Sequence, residues 1–244
     1  MHRRDYLKLS NLGMAALVFP NFDDDFFKRY SVERLMGLEA PKLFGEGATQ
    51  LSRRAFKAYN SMKMAAWNDG IVLKTVSSHR SYKDQKRIFE RKFHSFTEEG
   101  ASGAEAIERI IEYSTIPGTS RHHWGTDIDV IQAGKSVEGD VLLAEHFTLT
   151  GAFGELKAWL DENATTFDFY LVYTNNPNRK GFKYEPWHLS YAPESVPLLE
   201  NYLKKEVVFR AAAQEVQGLS LLSASRIERY LNEHVLGINE ALLP

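Results

Sequence analysis

Two short segments concentrate the side chains able to do chemistry. Residues 117–129 read Pro-Gly-Thr-Ser-Arg-His-His-Trp-Gly-Thr-Asp-Ile-Asp, and residues 184–191 read Tyr-Glu-Pro-Trp-His-Leu-Ser-Tyr. Together they offer three histidines, two aspartates and a glutamate. Zinc in a hydrolytic site takes three protein ligands and keeps the fourth position for water. The reaction then needs a carboxylate as base and a positive group near the developing oxyanion. His122, Asp129 and His188 can be the ligands, Glu185 the base and Arg80 the cation. Each of these residues also has an ordinary reading alone: a core or surface histidine, aspartates ending a strand, Trp187 as core filling. Their joint order and spacing favour a site.

Other chemistries lose their anchors. The 244-residue chain contains no cysteine, which removes thiol nucleophiles, disulfides, iron–sulfur clusters and cysteine-bound zinc. No Ser-x-x-Lys, Gly-x-Ser-x-Gly, Gly-x-x-x-x-Gly-Lys or His-Glu-x-x-His occurs, so serine-hydrolase, P-loop and helical zincin readings fail. Gly45-Glu46-Gly47 lacks the third glycine of a dinucleotide fingerprint. With 30 Lys and Arg against 32 Asp and Glu, the net charge of −2 argues against nucleic acid as a partner.

The elements that must position these residues follow from periodicity. Leu51, Ala55, Phe56, Tyr59, Met62 and Ala66 repeat at three and four, predicting a helix over 48–68 that Asp69-Gly70 ends. Residues 71–76 are rich in β-branched types and predict a strand. Helices are expected over 81–93, 104–113 and 153–163. A loop is expected over 114–125, where Pro117-Gly118 stands. Strands are expected over 126–131, 169–173 and 187–191, the last two separated by a polar turn at 174–181. From Pro193 onward the pattern is helical. Mixed elements without regular βαβ alternation predict an α+β fold, with a small antiparallel sheet flanked by helices and a helical C-terminal extension.

The spacing Ser120-x-His122-x-x-Gly125-x-x-x-Asp129, followed by Glu185-Pro186-Trp187-His188, resembles the VanY-type D-alanyl-D-alanine carboxypeptidase family of zinc peptidases. In the upstream run from Ser78 to Gln85, the spacing Arg80-Ser81-x-x-x-Gln85 resembles the same part of that family's Ser-x-x-Arg-Ser-x-x-x-Gln segment. The resemblance spans residues 51–191. It implies that His122, Asp129 and His188 hold Zn2+, that Glu185 is the catalytic base, and that Arg80 contacts substrate and stabilises the transition state. It implies a peptidoglycan stem peptide as substrate, with loss of a terminal D-alanine as the leading case. Ser120 and Gln85 are expected to hydrogen-bond that substrate. His123, one position out of register, is assigned to the pocket wall or to a position behind the ligands, and Trp187 is expected to contact substrate.

Two positions depart from the family pattern. Asp127 replaces a small residue and faces the same side of a strand as Asp129; it can orient a ligand, bind a cationic substrate group or face solvent. His79 stands where an aromatic residue is often found. One local conflict arises as well: in a regular strand Glu185 and His188 project from opposite faces. Pro186 cannot donate to a ladder, so a bulge or strand start there is required.

The start of the chain has the layout of an export signal. Arg3-Arg4-Asp5-Tyr6-Leu7-Lys8 precedes an apolar run that ends at Phe19, far short of the ~20 residues needed to span a bilayer. The expected organisation is therefore an export signal over 1–20, a zinc peptidase domain over 21–191 and a helical extension over 192–244, acting in the periplasm or cell envelope. Competing readings are a cell-wall endopeptidase or L,D-carboxypeptidase of the same fold, a non-catalytic zinc-holding wall-binding module, and an α+β protein whose histidines are coincidental.

Overall fold

A computed structural model describes residues 30–244; the signal-like segment lies outside the described residues. Four strands form one antiparallel sheet in the order β1-β2-β4-β3: β1 Leu73–Ser77, β2 Asp127–Gln132, β3 Phe169–Leu171 and β4 His188–Tyr191. With the helices around it, the fold is α+β, as the mixed periodicity predicts.

The helices begin where local chemistry lets them. After the short α1, Val32–Leu35, comes α2, Arg53–Asn68, whose first turn is capped by the Ser52 hydroxyl accepting the Ala55 N–H. It starts later than the periodicity suggests because Leu51 pairs with Phe44 as an isolated bridge. Ser81 caps α3, Tyr82–Glu98, and Ser102 with Glu105 forms a reciprocal capping box on α4, Gly103–Ile111. Next comes α5, Gly154–Asn163, and then α6, Ala192–Lys204, with Pro193 in its first turn. The chain ends through α7, Val207–Ala212, α8, Ala224–Tyr230, and a π-helical turn, Leu231–Val235.

Two apolar clusters build the core, one of them on the sheet. On one face Ile128, Val130 and Leu189 meet Tyr59 and Met62 of α2 and Leu156 and Leu160 of α5. Each such fully buried aliphatic side chain is worth roughly 1.5–3 kcal/mol against exposure. The second cluster joins Phe89, Ile107 and Ile110 to Leu199, Tyr202, Val208 and Tyr230. The C-terminal helices thus share a core with α3 and α4. The Tyr230 hydroxyl accepts the Ile116 N–H at 3.2 Å and bonds the Thr119 hydroxyl at 2.8 Å, tying the end of the chain to the loop that leads into the first chemical segment.

Strand β2 is buried along its whole length rather than alternating. Its polar face floors a cleft enclosed by other elements instead of meeting open solvent.

Candidate active site

Sheet register brings the two segments together. Asp129 lies directly opposite His188, and Asp127 opposite Ser190, in the β2–β4 ladder. Residues two apart on a strand share a face, so all four project into the same side. Ile128 and Leu189, between them, point into the apolar cluster. His122 arrives from a 3₁₀ turn, Arg121–Trp124, which Gly125 ends at φ 69°. That left-handed conformation suits glycine, and a Cβ there would stand only 3.1–3.3 Å from Leu43, Pro41 and the Ser52 amide.

One ligand atom from each of His122, Asp129 and His188 falls within 4.8 Å of the others. All three are nearly sealed, at 4–5% exposure. The His122 and His188 rings stack with centroids 4.7 Å apart. The His122 Nδ1 faces the Ser78 carbonyl oxygen at 2.6 Å, which as the N–H donor leaves Nε2 free, 3.5 Å from Asp129 Oδ2. Asp129 Oδ1 is buried with no hydrogen-bond partner among the described residues. An orphaned carboxylate oxygen beside two imidazoles is costly unless a cation completes it. Two nitrogens and a carboxylate are also a donor set suited to Zn2+. The residues therefore fit the metal.

Burial holds His122 well below the usual histidine range, helped by the Arg80 and His188 charges. Burial pushes the Asp129 carboxyl up to about 7, with Glu185 and Asp127 adding to it against His188 and Arg80. For His188 burial alone would lower the value. Hydrogen bonds to Asp127 and Glu185, with the Asp129 charge, outweigh it and raise the imidazole to about 10. Three carboxylates thus converge on one imidazole, an excess of negative charge that a divalent cation would balance.

The conflict at Glu185 resolves at the strand start. β4 begins only at His188, and the preceding residues turn so that the His188 N–H reaches the Glu185 carbonyl at 3.1 Å. Glu185 Oε2 lies 2.9 Å from His188 Nδ1, so both side chains face the same point. The Glu185 N–H donates to the Tyr173 carbonyl at 3.2 Å, holding this turn against the end of β3.

Arg80 enters from the loop between β1 and α3. Its N–H donates to the His122 carbonyl at 3.1 Å, and its guanidinium donates to Gln85 Oε1 at 3.0 Å and Ser77 Oγ at 3.1 Å. A cleft of about 810 Å³ is lined by Arg80, Ser120, His122, Asp129, Glu185, Trp187 and His188, large enough for a short peptide. Two expected substrate contacts are elsewhere. Gln85 is fully buried behind the cleft, aiming Arg80 and donating to the Thr115 carbonyl at 2.8 Å. His123 is also fully buried and does not line this cleft. Its Nδ1 lies 2.6 Å from the Arg80 carbonyl oxygen, and its Nε2 accepts the Gly118 N–H at 3.2 Å. It is a strut between two loops, kept neutral at about 3 by burial.

Two participants escape sequence reasoning. Arg121 is 5% exposed and bonds Asp127 at 3.0 Å; opposite charges six residues apart were the available signal. Lys92 lines the cleft seven residues beyond Gln85 on α3, a helical offset that nothing in the sequence alone connects to the site. Asp127 does not face solvent, being completely buried and bonded to His188 Nε2 at 3.0 Å.

Residues 48–194 match the family model described as VanY, D-alanyl-D-alanine carboxypeptidase. An uncharacterized protein of Haemophilus influenzae is 32% identical over 124 residues, covering 50% of this chain and 93% of that protein. A D-alanyl-D-alanine carboxypeptidase of Enterococcus faecalis is 28% identical over 128 residues, or 52% of this chain; the match spans only 42% of that protein's length. Among solved structures, a vancomycin resistance D,D-pentapeptidase VanY from a VanB-type cassette, in complex with Zn(II), superposes with a TM-score of 0.50 at 22% identity. That superposition covers 68% of this chain and 88% of the other, and shows a shared fold.

Proposed function

This chain belongs to the VanY family of D-alanyl-D-alanine carboxypeptidases, and from that premise we propose that it is a zinc-dependent peptidase removing the terminal D-alanine from peptidoglycan stem peptides. The observation that carries the reading is the meeting of His122, Asp129 and His188 within 4.8 Å on the floor of a peptide-sized cleft, with Glu185 turned to the same point.

His122, Asp129 and His188 would hold the zinc. When bound, it would supply Lewis acidity toward a water and toward the scissile carbonyl. Glu185 takes the proton from the attacking water and returns it to the leaving amine. Its backbone is pinned on both sides, the N–H donating to the Tyr173 carbonyl and the carbonyl accepting the His188 N–H. Arg80, held by Gln85 and Ser77, presents fixed positive charge to the carbonyl oxygen as it becomes an oxyanion. Ser120, at the cleft wall, offers a hydroxyl to the substrate backbone or terminal carboxylate, and Trp187 offers an apolar wall.

In this reading residues 21–191 are the peptidase domain and 192–244 a helical extension packed on it. Residues 1–20 direct export, since stem peptides lie outside the cytoplasm. No helix among the described residues is long and apolar enough to cross a membrane. Defined muropeptides incubated with zinc-loaded protein should lose one terminal D-alanine by mass. Glu185→Ala should abolish turnover while retaining one zinc per chain. Cleavage at another bond would redirect the assignment to an endopeptidase or L,D-carboxypeptidase, and full activity in the variant would refute Glu185 as base.

A further inference from the structure

Asp127 is completely buried beneath the ligand cluster, on the same face of β2 as Asp129. Its carboxylate accepts from four side chains. Oδ2 takes the Arg121 Nε–H and the His188 Nε2–H, both at 3.0 Å. Oδ1 takes the Ser190 hydroxyl at 2.7 Å and the Thr126 hydroxyl at 2.8 Å. Arg121 in turn donates to the Ser190 Oγ at 2.8 Å and stacks its guanidinium 5.0 Å from the Trp124 ring. Arg121, Ser190 and His188 are each tied to a further group, and the four hydrogen bonds together fix the carboxylate's orientation.

This arrangement decides the chemistry of His188. An ionised carboxylate only accepts, so the ring nitrogen facing it must carry hydrogen. Both ring nitrogens of His188 face carboxylates, Nε2 facing Asp127 at 3.0 Å and Nδ1 facing Glu185 Oε2 at 2.9 Å, so one hydrogen must leave before the ring can hold a cation. Asp127 is wholly buried and pinned by Arg121, Ser190 and Thr126, so the hydrogen kept is the one on Nε2 and the nitrogen freed is Nδ1, beside Glu185. His122 is set the opposite way: its Nδ1–H goes to the Ser78 carbonyl and Nε2 faces Asp129. The two imidazoles therefore offer different nitrogens, one oriented by a neutral carbonyl and one by a charge. A carboxylate on the far nitrogen also makes the near one the stronger donor.

We propose that Asp127 is a positioning residue of the metal centre: held by Arg121, Ser190 and Thr126, it fixes His188 as the Nε2–H tautomer and turns Nδ1 toward the metal. This rests on the zinc reading above, and the two fail in different ways.

The test measures zinc affinity by chelator competition on the full chain, together with nitrogen NMR of the histidine rings in the zinc-loaded protein. Wild type should bind one zinc and show His188 coordinated through Nδ1 with a protonated Nε2. Asp127→Asn and Asp127→Ala should each weaken zinc binding 10–100-fold and lose the single-tautomer signature. Ser190→Ala, which removes one of the four donors, should weaken binding by a smaller factor in the same direction. Wild type with no stoichiometric zinc overturns the metal reading and this proposal with it. Normal wild-type binding with His188 coordinated through Nε2 overturns this proposal alone. So does unchanged affinity in folded Asp127 and Ser190 variants. The NMR reading needs no variant, so the proposal stays falsifiable where a substitution blocks folding.

Discussion

Replacing Arg121 by methionine is expected to destabilise the metal-stripped protein by about 3–5 kcal/mol, the cost of leaving one partner of a buried ion pair uncompensated. Arg121 is 5% exposed and Asp127 wholly buried, with Nε and Oδ2 at 3.0 Å. Burial alone would raise the Asp127 carboxyl; Arg121, followed by the His188 hydrogen bond, holds it well below the usual range instead. Without the guanidinium the carboxylate has two ways out. It can stay ionised and unpaired, at the cost just given, or take up a proton. To be neutral at pH 7, a carboxyl with an unfolded value near 3.9 must rise by about three units, which costs about 4 kcal/mol. The two routes converge. His188 still donates to Oδ2, which places the expectation toward the lower end, about 3 kcal/mol. For a chain of this size that lowers the melting temperature by roughly 6–12 °C. Urea unfolding followed by circular dichroism at pH 7.5 measures it. The sign of the pH dependence is a second check. Asp127 contributes stability above its unfolded value that is lost as pH falls toward its depressed folded value, so wild type and variant should draw together in acid. Arg121→Met with Asp127→Asn should recover more than half of the loss, because both charges leave together. A single variant costing under about 1 kcal/mol, or a double variant that merely adds the two losses, would refute the reasoning.

Arg80→Ala should lower kcat roughly 10²–10³-fold while the zinc content stays at one per chain; a change confined to KM would mean that Arg80 only binds. Gln85→Leu removes the acceptor that aims Arg80 and should give a smaller loss of kcat, with no effect on metal content. Burial lowers His79 to about 4, against the opposing Asp84 charge, and its Nε2 is buried with no hydrogen-bond partner among the described residues. The unfolded chain then binds the extra proton between pH 6.5 and about 4, so stability falls as pH drops, by about 2 kcal/mol at pH 5 from this group. His79→Phe should remove that share of the acid sensitivity; an unchanged difference in unfolding free energy between pH 8 and pH 5 would contradict it. Gly37→Ala should destabilise the chain, since Gly37 sits at φ 74° and a Cβ would lie 2.5 Å from the His123 ring. An unaltered melting temperature would show that the strut has room to move.

How much of this was legible in the sequence depends on the range of the forces involved. The helix starts at Ser52, Ser81 and Ser102 rest on hydroxyls and amides three residues apart, so local reading finds them to within a few residues. His122, Gly125 and Asp129 were legible for the same reason: a single turn, a left-handed glycine and a strand start fix their relation. Gln85 and His123 were expected at the substrate and lie behind it. Their sequence neighbours are motif residues, but their burial is imposed by Thr115 and by Gly37 and Gly118, which belong to other segments.

The sequence by itself determined the donor types, the absence of thiol chemistry and the spacing within each motif. From those followed the family resemblance and an α+β fold with a His/Asp/His cluster. Only the tertiary structure decided which atoms face each other. The β2–β4 register sets Asp129 against His188, and the turn before β4 swings Glu185 to their side. The same register places Asp127 between Arg121 and His188, so that of its three open roles facing solvent is excluded and its carboxylate meets the His188 ring. The reason is physical. Spacing along a chain limits what can meet, whereas a carboxylate's effect depends on its distance, its burial and the donors around it, and those are supplied by strands and loops some sixty residues apart along the chain.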